Sequence, residues 1–210
     1  MKCDKSLFRL YGVSAGDRTS SEDLLQAIQG GITLFQLREK DLDFDSFLRK
    51  AREFRKICSD HGIPFIVNDA VEIARECDAD GVHIGQEDES LSNARKILGP
   101  EKIIGVSVHT LEEACRAERG GADYLGVGAL FSTSTKLDAV SFPLSDLGAI
   151  CAGVKIPVVG IGGINQKNIM QLAHAGLSGA AIVSAIFCAS DIAESARELD
   201  SLSRQIFRMS

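Results

Sequence analysis

Short apolar runs rich in β-branched residues recur along the chain at Phe8–Val13, Leu34–Leu37, Phe65–Asn68, Gly81–Ile84, Ile103–Ser107, Tyr124–Val127, Pro157–Ile161 and Gly179–Val183. Each reads as a strand. Amphipathic segments of helical period separate them: Ser20–Gln29, Phe44–Asp60, Val71–Cys77, Ser92–Leu98, Leu111–Arg119, Ser145–Cys151, Lys167–Ala175 and Ile192–Ile206. Thr110 with Glu113 predicts a capping box, and Gly30, Gly99, Gly120 and Gly176 stand where helices should stop. Such alternation leaves a doubly wound open sheet or a closed barrel. The open sheet would be expected to carry a dinucleotide fingerprint. Gly126-Val127-Gly128 continues to Phe131 and Gly160-Ile161-Gly162 to Asn165, so neither completes G-x-G-x-x-G. The pattern therefore predicts a single-domain (β/α)8 TIM barrel spanning residues 1–210.

Composition narrows the function. The chain has 210 residues, 45% hydrophobic and 25% charged, which suits one globular domain with a large core. No stretch approaches the roughly 20 apolar residues of a membrane span, and Met1–Val13 has no apolar signal run. A cytoplasmic location is the expectation. The net charge of −6, the lack of a long basic run, the absence of Trp and the restriction of Tyr to Tyr11 and Tyr124 argue against a nucleic-acid partner. Six scattered cysteines, with no C-x-x-C pair, read as reduced and mostly buried thiols.

In a barrel of this kind the chemistry belongs at the C-terminal ends of the strands. Strand parity puts Gln36, Arg38 and Lys40 on one side and Phe35, Leu37 and Glu39 on the other. With Phe35 and Leu37 against the helices, the first set turns toward the mouth. Two cations and an amide there suit an anionic ligand, or else a solvated strand end with flanking charges. Asp69 and Asp88 follow the third and fourth strands, where carboxylates can converge on a hard cation such as Mg²⁺. Helix capping by Asp69 and loop solvation of Asp88 is the other reading. Gly105, Gly126, Gly128, Gly160 and Gly162 fall near strand ends and leave room for a ligand. Gly162-Gly163 and Ser184 follow strands seven and eight, a frequent phosphate site. Ser132–Leu144 is the longest stretch without periodicity, and its Thr133, Thr135 and Lys136 add hydroxyls and a charge. Asp41, Asp43 and Asp45 read as capping and solvated charge, and His83 and His109, near strand ends, as ordinary hydrogen-bonded histidines, with ligand contact as the other reading. His61 and His174 end helices and have no expected chemistry.

Together, Gln36-Leu37-Arg38-Glu39-Lys40, Asn68-Asp69, Gly81 to Asp88, Gly126-Val127-Gly128, Thr133-Ser134-Thr135-Lys136 and Gly160 to Ile164 resemble the thiamine phosphate synthase family, in its order and over about residues 8 to 187. The resemblance implies coupling of 4-amino-2-methyl-5-hydroxymethylpyrimidine diphosphate to 4-methyl-5-(2-phosphoethyl)thiazole, or its carboxylated form, with release of diphosphate. It implies that Gln36 to Lys40 and Asn68 bind the pyrimidine diphosphate, with Arg38 and Lys40 on its phosphates. Asp69 and Asp88 would hold Mg²⁺, Ser107 would contact the pyrimidine, and Lys136 the departing diphosphate. Arg38, Lys40, Ser107 and Lys136 are thus the expected catalytic set. Thr133, Ser134, Thr135, Gly162 or Gly163, Val183 and Ser184 would cradle the thiazole phosphate. Ser14 to Arg18 and Ser132 depart from the family's usual residues, outside these roles.

The nearest rival is a thiazole tautomerase, in which His109 would be the acid/base; it needs neither metal nor diphosphate site, which Asp69, Asp88 and Lys136 would supply. A non-catalytic thiamine phosphate sensor would need an output domain, and no segment reads as one. The expected partners are small phosphorylated molecules, without nucleic acid or membrane, and the sequence leaves a homo-oligomer open.

Overall fold

Branched and aromatic side chains fit a pleated surface that is buried on both faces, and the apolar runs form strands accordingly. In the computed structural model, which describes residues 4–86, 90–132 and 142–207, these are β1 (Leu10–Val13), β2 (Leu34–Leu37), β3 (Phe65–Asn68), β4 (Gly81–Ile84), β5 (Ile103–Val108), β6 (Tyr124–Val127), β7 (Val158–Ile161) and β8 (Gly179–Ile182). All pair in parallel with their sequence neighbours, and β8 pairs with β1 to close the barrel. The helices are α1 (Ser21–Gly30), α2 (Phe44–Asp60), α3 (Val71–Glu76), α4 (Leu91–Leu98), α5 (Leu111–Arg119), α6 (Leu144–Gly153), α7 (Ser184–Phe187) and α8 (Ile192–Ile206).

Alternation along the strands sorts the core into two layers. Tyr11, Val13, Leu34, Ile66, Tyr124, Val159 and Ala181 form the inner cluster, closed below by Phe8. Leu10, Phe35, Leu37, Phe65, Val67, Val82, Leu125 and Ile182 face the helices in the larger outer one. Phe35 is the aromatic centre of that layer, with ring centroids 5.7 Å from Phe54 of α2 and 5.7 Å from Phe187 of α7. Burial of each such ring contributes about 1.5–3 kcal/mol.

The lower face is tied by carboxylates just before strands. Asp80 accepts the Phe65 N–H at 2.8 Å, and Asp123 accepts the Ile104 N–H at 2.8 Å while pairing with Arg95 at 2.6 Å. Each aspartate thereby joins the start of its own strand to the start of the preceding one. This is the stabilising end of the barrel, remote from the mouth.

Local chemistry departs from the sequence reading in three places. The reciprocal capping box is at α1, where Ser20 and Asp23 cap each other. At α5, Thr110 accepts from Glu113 N–H as expected, but the Glu113 carboxylate takes the N–H of His109 rather than that of Thr110. The helix expected over Lys167–Ala175 is reduced to a 3₁₀ turn at Ile169–Leu172. There Asn168 Oδ1 accepts from Asn165 N–H and Asn165 Oδ1 from Lys167 N–H, side-chain bonds that compete with helical ones. Phe8 likewise belongs to a 3₁₀ turn, Lys5–Phe8, capped by Asp4, so β1 starts at Leu10.

The thiols are less uniformly buried than expected. Cys58 and Cys77 are buried, Cys115 and Cys151 half-buried, and Cys188 exposed; all are free. Among the described residues no helix is long and apolar enough to cross a membrane.

Candidate active site

The parity that sends Phe35 and Leu37 outward sends Gln36 inward, where it is buried beside Tyr11. On β3 the same parity brings Asn68 to the inner upper rim, and on β5 it brings Ser107 there. Gln36, Asn68 and Ser107 thus come together at the mouth from β2, β3 and β5. Arg38 follows β2 half-buried, its backbone fixed by Ser14: Arg38 N–H donates to Ser14 Oγ at 2.7 Å, and that hydroxyl lies 3.1 Å from the Arg38 carbonyl. Ser14 is fully buried, and its role was not foreseen in the sequence. Lys40 is exposed beyond it.

Two residues of the same motif are committed elsewhere. Leu37 is buried in the outer layer and offers no side-chain atom to the mouth. The Glu39 carboxylate is almost wholly buried and accepts from Lys50 of α2 at 2.6 Å. Both follow from the parity that brings Gln36 inside.

Asp69 leaves β3 in a left-handed conformation, φ 61°, and is exposed at the rim. Asn68 Nδ2 donates to its carboxylate at 2.5 Å, and the Asp69 N–H is held by the His83 carbonyl at 2.8 Å. The cap position of α3 is Ala70, which offers no side-chain capping bond. Asp88, Thr133, Ser134, Thr135 and Lys136 lie outside the described residues.

The glycines near the mouth make room for protein before they make room for ligand. A Cβ on Gly105 would lie 2.1 Å from the Tyr124 ring and 2.5 Å from His83, and one on Gly126 would lie 3.0 Å from His83. In register, Gly105 stands between His83 of β4 and Tyr124 of β6, so its missing side chain lets the two rings meet across it. At Gly128, Gly160 and Gly162 the added atom would strike Ile161, Leu130 and Ala129 respectively. Gly163, at φ 66°, abuts the backbone oxygens of Ser132 and Phe131, and its own carbonyl accepts from Asn165 and Asn168. The turn after β7 is therefore locked against the loop leaving β6. Val183 and Ser184 lie at the start of α7, directly above β8, with Ser184 exposed.

His83 is a hydrogen-bonded histidine, as expected from the sequence, and it is held at both ring nitrogens. Its Nδ1 is 2.9 Å from Tyr124 Oη and its Nε2 is 2.9 Å from Ser107 Oγ. Tyr124 Oη is in turn 2.9 Å from Tyr11 Oη, to which Gln36 Nε2 donates at 2.6 Å. Burial pushes the Tyr11 phenol well above its ordinary range, so it stays neutral. The only tyrosines in the chain are both in this network, and an inward parity for each was the available signal. His109, by contrast, is mostly exposed and 3.6 Å from Glu113.

The family model described as thiamine monophosphate synthase matches residues 10–186. A thiamine-phosphate synthase of Clostridium acetobutylicum is 47% identical over 194 residues, covering 90% of this chain and 92% of that protein. One from Moorella thermoacetica is 50% identical over 185 residues, covering 88% of each. The solved thiamine phosphate pyrophosphorylase of Pyrococcus furiosus superposes with a TM-score of 0.90 at 36% identity, covering 96% of this chain and 98% of its own. With a match that runs from β1 into α7 and takes in every strand that feeds the mouth, the chain belongs to the thiamine monophosphate synthase family.

Proposed function

We propose that this protein is a thiamine phosphate synthase, joining the pyrimidinylmethyl diphosphate to the thiazole phosphate, or its carboxylated form, and releasing diphosphate. The observation that carries the reading is the convergence of Gln36, Asn68 and Ser107 on one mouth, with Arg38, Lys40 and Asp69 around it. Neutral hydrogen-bonding groups suit the pyrimidine ring, and the cations beside them suit its diphosphate. Val183, Ser184 and the Gly162-Gly163 turn are read as the seat of the thiazole phosphate, completed by Thr133, Ser134 and Thr135.

The reaction needs a leaving diphosphate and a positioned acceptor rather than a protein nucleophile. Arg38 and Lys40, with Lys136, stabilise charge as it builds on the diphosphate oxygens. Gln36 and Ser107 hold the pyrimidine so that its exocyclic methylene faces the thiazole nitrogen. Diphosphate leaves first, the aminopyrimidine carries the cation, and the thiazole nitrogen captures it. Orientation and charge neutralisation are the enzyme's work.

Mg²⁺ fits the donors described. Asp69 offers a hard carboxylate, oriented by Asn68, at the rim where the diphosphate is read to sit. Asp69 would hold the ion together with Asp88, and the bound cation would offset charge on the diphosphate.

A coupling assay with the purified protein, Mg²⁺ and both substrates tests the reading. Thiamine phosphate and diphosphate should form in equal amounts. A protein that isomerised the carboxylated thiazole phosphate but formed no coupled product would be a tautomerase instead. One that bound thiamine phosphate without turnover would be a sensor.

A further inference from the structure

The barrel interior holds a chain of hydrogen-bonding groups that runs from one residue assigned to the pyrimidine to another: Gln36, Tyr11, Tyr124, His83 and Ser107. Its direction is fixed at the deepest link. Tyr11 Oη has two partners, the Gln36 amide nitrogen and Tyr124 Oη. The amide nitrogen can only donate. Tyr11 must therefore send its own proton to Tyr124, because a buried, neutral hydroxyl left without an acceptor costs roughly 1–3 kcal/mol. Having accepted from Tyr11, Tyr124 has its proton to give, and His83 Nδ1 lies 2.9 Å away. An imidazole that accepts at Nδ1 carries its proton on Nε2, which faces Ser107 Oγ at 2.9 Å. Ser107 then accepts from His83 and keeps its hydroxyl proton for the mouth.

We propose that Tyr11, Tyr124 and His83 are positioning residues that transmit the orientation of the Gln36 amide to Ser107, so that Ser107 presents a hydrogen-bond donor to the bound ring and selects an acceptor atom, such as an unprotonated ring nitrogen. No proton is transferred and no bond is made; the chain fixes which partner donates at each link. Gly105 and Gly126 keep the route open, since a side chain at either would enter the space of His83 or Tyr124. The selectivity at Ser107 rests on its reading as a pyrimidine contact; the direction of the chain does not.

The test is the tautomer of His83, read by ¹⁵N NMR of the whole protein above the ordinary imidazole titration range, with the signal assigned by its loss in His83→Asn. Nε2 should be protonated and Nδ1 bare. Gln36→Glu replaces the donor with an acceptor, so every link should reverse and the proton should move to Nδ1. An Nδ1-protonated ring in the unmodified protein would overturn the proposal, and that result does not depend on Gln36→Glu folding. A tautomer indifferent to Gln36→Glu, in a variant with an unchanged circular dichroism spectrum, would overturn it as well. In the coupling assay, Ser107→Ala should raise KM for the pyrimidine diphosphate about fivefold to tenfold. It should have little effect on an analogue with C–H in place of the accepting ring nitrogen, and an equal effect on both would remove the selectivity claim. A protein with the expected tautomers but no coupling activity would leave the chain standing and refute the proposed function instead.

Discussion

Asn68 donates to the Asp69 carboxylate at 2.5 Å across a peptide in which Asp69 adopts φ 61°. Aspartate and asparagine tolerate that left-handed conformation better than most residues. Asp69→Asn should therefore keep the backbone geometry while removing the charge. Unfolding free energy should change by no more than about 0.5 kcal/mol, whereas turnover should fall roughly 10–100-fold and require more Mg²⁺. Thermal unfolding beside a Mg²⁺ titration of activity separates the two effects. Full activity of the unmodified protein in excess chelator would refute the metal assignment.

Gly163 makes a second positional demand. Its φ is 66°, and a Cβ there would lie 2.5 Å from the Ser132 carbonyl oxygen, so the turn leaves no room for a side chain. Gly163→Val should cost about 1–3 kcal/mol of stability by forcing the β7 turn away from the loop leaving β6. Where the variant is folded, calorimetry should show thiazole phosphate binding weakened more than pyrimidine diphosphate binding. Equal losses for both ligands would show that the turn serves the scaffold rather than the phosphate.

Strand parity made the barrel and the inward course of Gln36 legible, because period-two alternation survives any detail of packing. The same rule placed the Leu37 side chain outside, on the face away from Gln36. His83 and Tyr124 were harder to read. Their contact depends on the gap at Gly105 between two strands that are far apart in sequence, and a glycine near a strand end is equally compatible with an empty space for ligand. The lost helix at Lys167–Ala175 failed for a local reason, since Asn165 and Asn168 commit their side chains to nearby backbone N–H groups. Nothing in apolar periodicity reports that competition.

At the opposite face, Asp123 links Arg95 to the Ile104 N–H near the start of β5 and is mostly buried. Asp123→Ala would leave that N–H without its acceptor and remove the carboxylate partner of Arg95, whose guanidinium keeps the carbonyls of Gly99, Lys102 and Gly121. The expected loss is about 1–3 kcal/mol, with kcat and KM unchanged at a temperature where the variant is folded. Chemical denaturation measures the first and steady-state kinetics the second. A fall in kcat without loss of stability would contradict the division between a stabilising face and a reactive one.

Burial pushes the Cys58 thiol from its ordinary 9.0 up to about 12. The folded protein then holds this proton more tightly than the unfolded chain does. Below pH 9 both states are protonated and the group's contribution is fully present; as pH rises from about 9 toward 12 the unfolded chain deprotonates first and stability is lost. The slope should reach at most about 1.4 kcal/mol per pH unit for this group. Cys151, raised to about 11, and Cys77 act in the same direction. Denaturant melts across that range should be flatter for Cys58→Ala than for the unmodified protein, after subtraction of its lower stability at neutral pH. Among the described cysteines, Cys188 should react first with iodoacetamide and Cys58 only on unfolding.

The order of bond breaking and making is the most informative property of the reaction. Arg38 and Lys40 follow β2 with positive charge, while Gln36 and Ser107 are neutral. On the proposed reading, charge stabilisation is provided for the departing diphosphate, and the cation left on the pyrimidine relies on its own amino group. A strongly electron-withdrawing substituent in place of the ring methyl removes that support without altering the diphosphate contacts. Single-turnover kinetics should show chemistry slowed by at least about 100-fold, a barrier increase of roughly 2.7 kcal/mol, with binding of the analogue nearly unchanged. A chemical step indifferent to the substituent would mean that the thiazole nitrogen attacks before diphosphate leaves, and Arg38 and Lys40 would then serve binding more than the transition state.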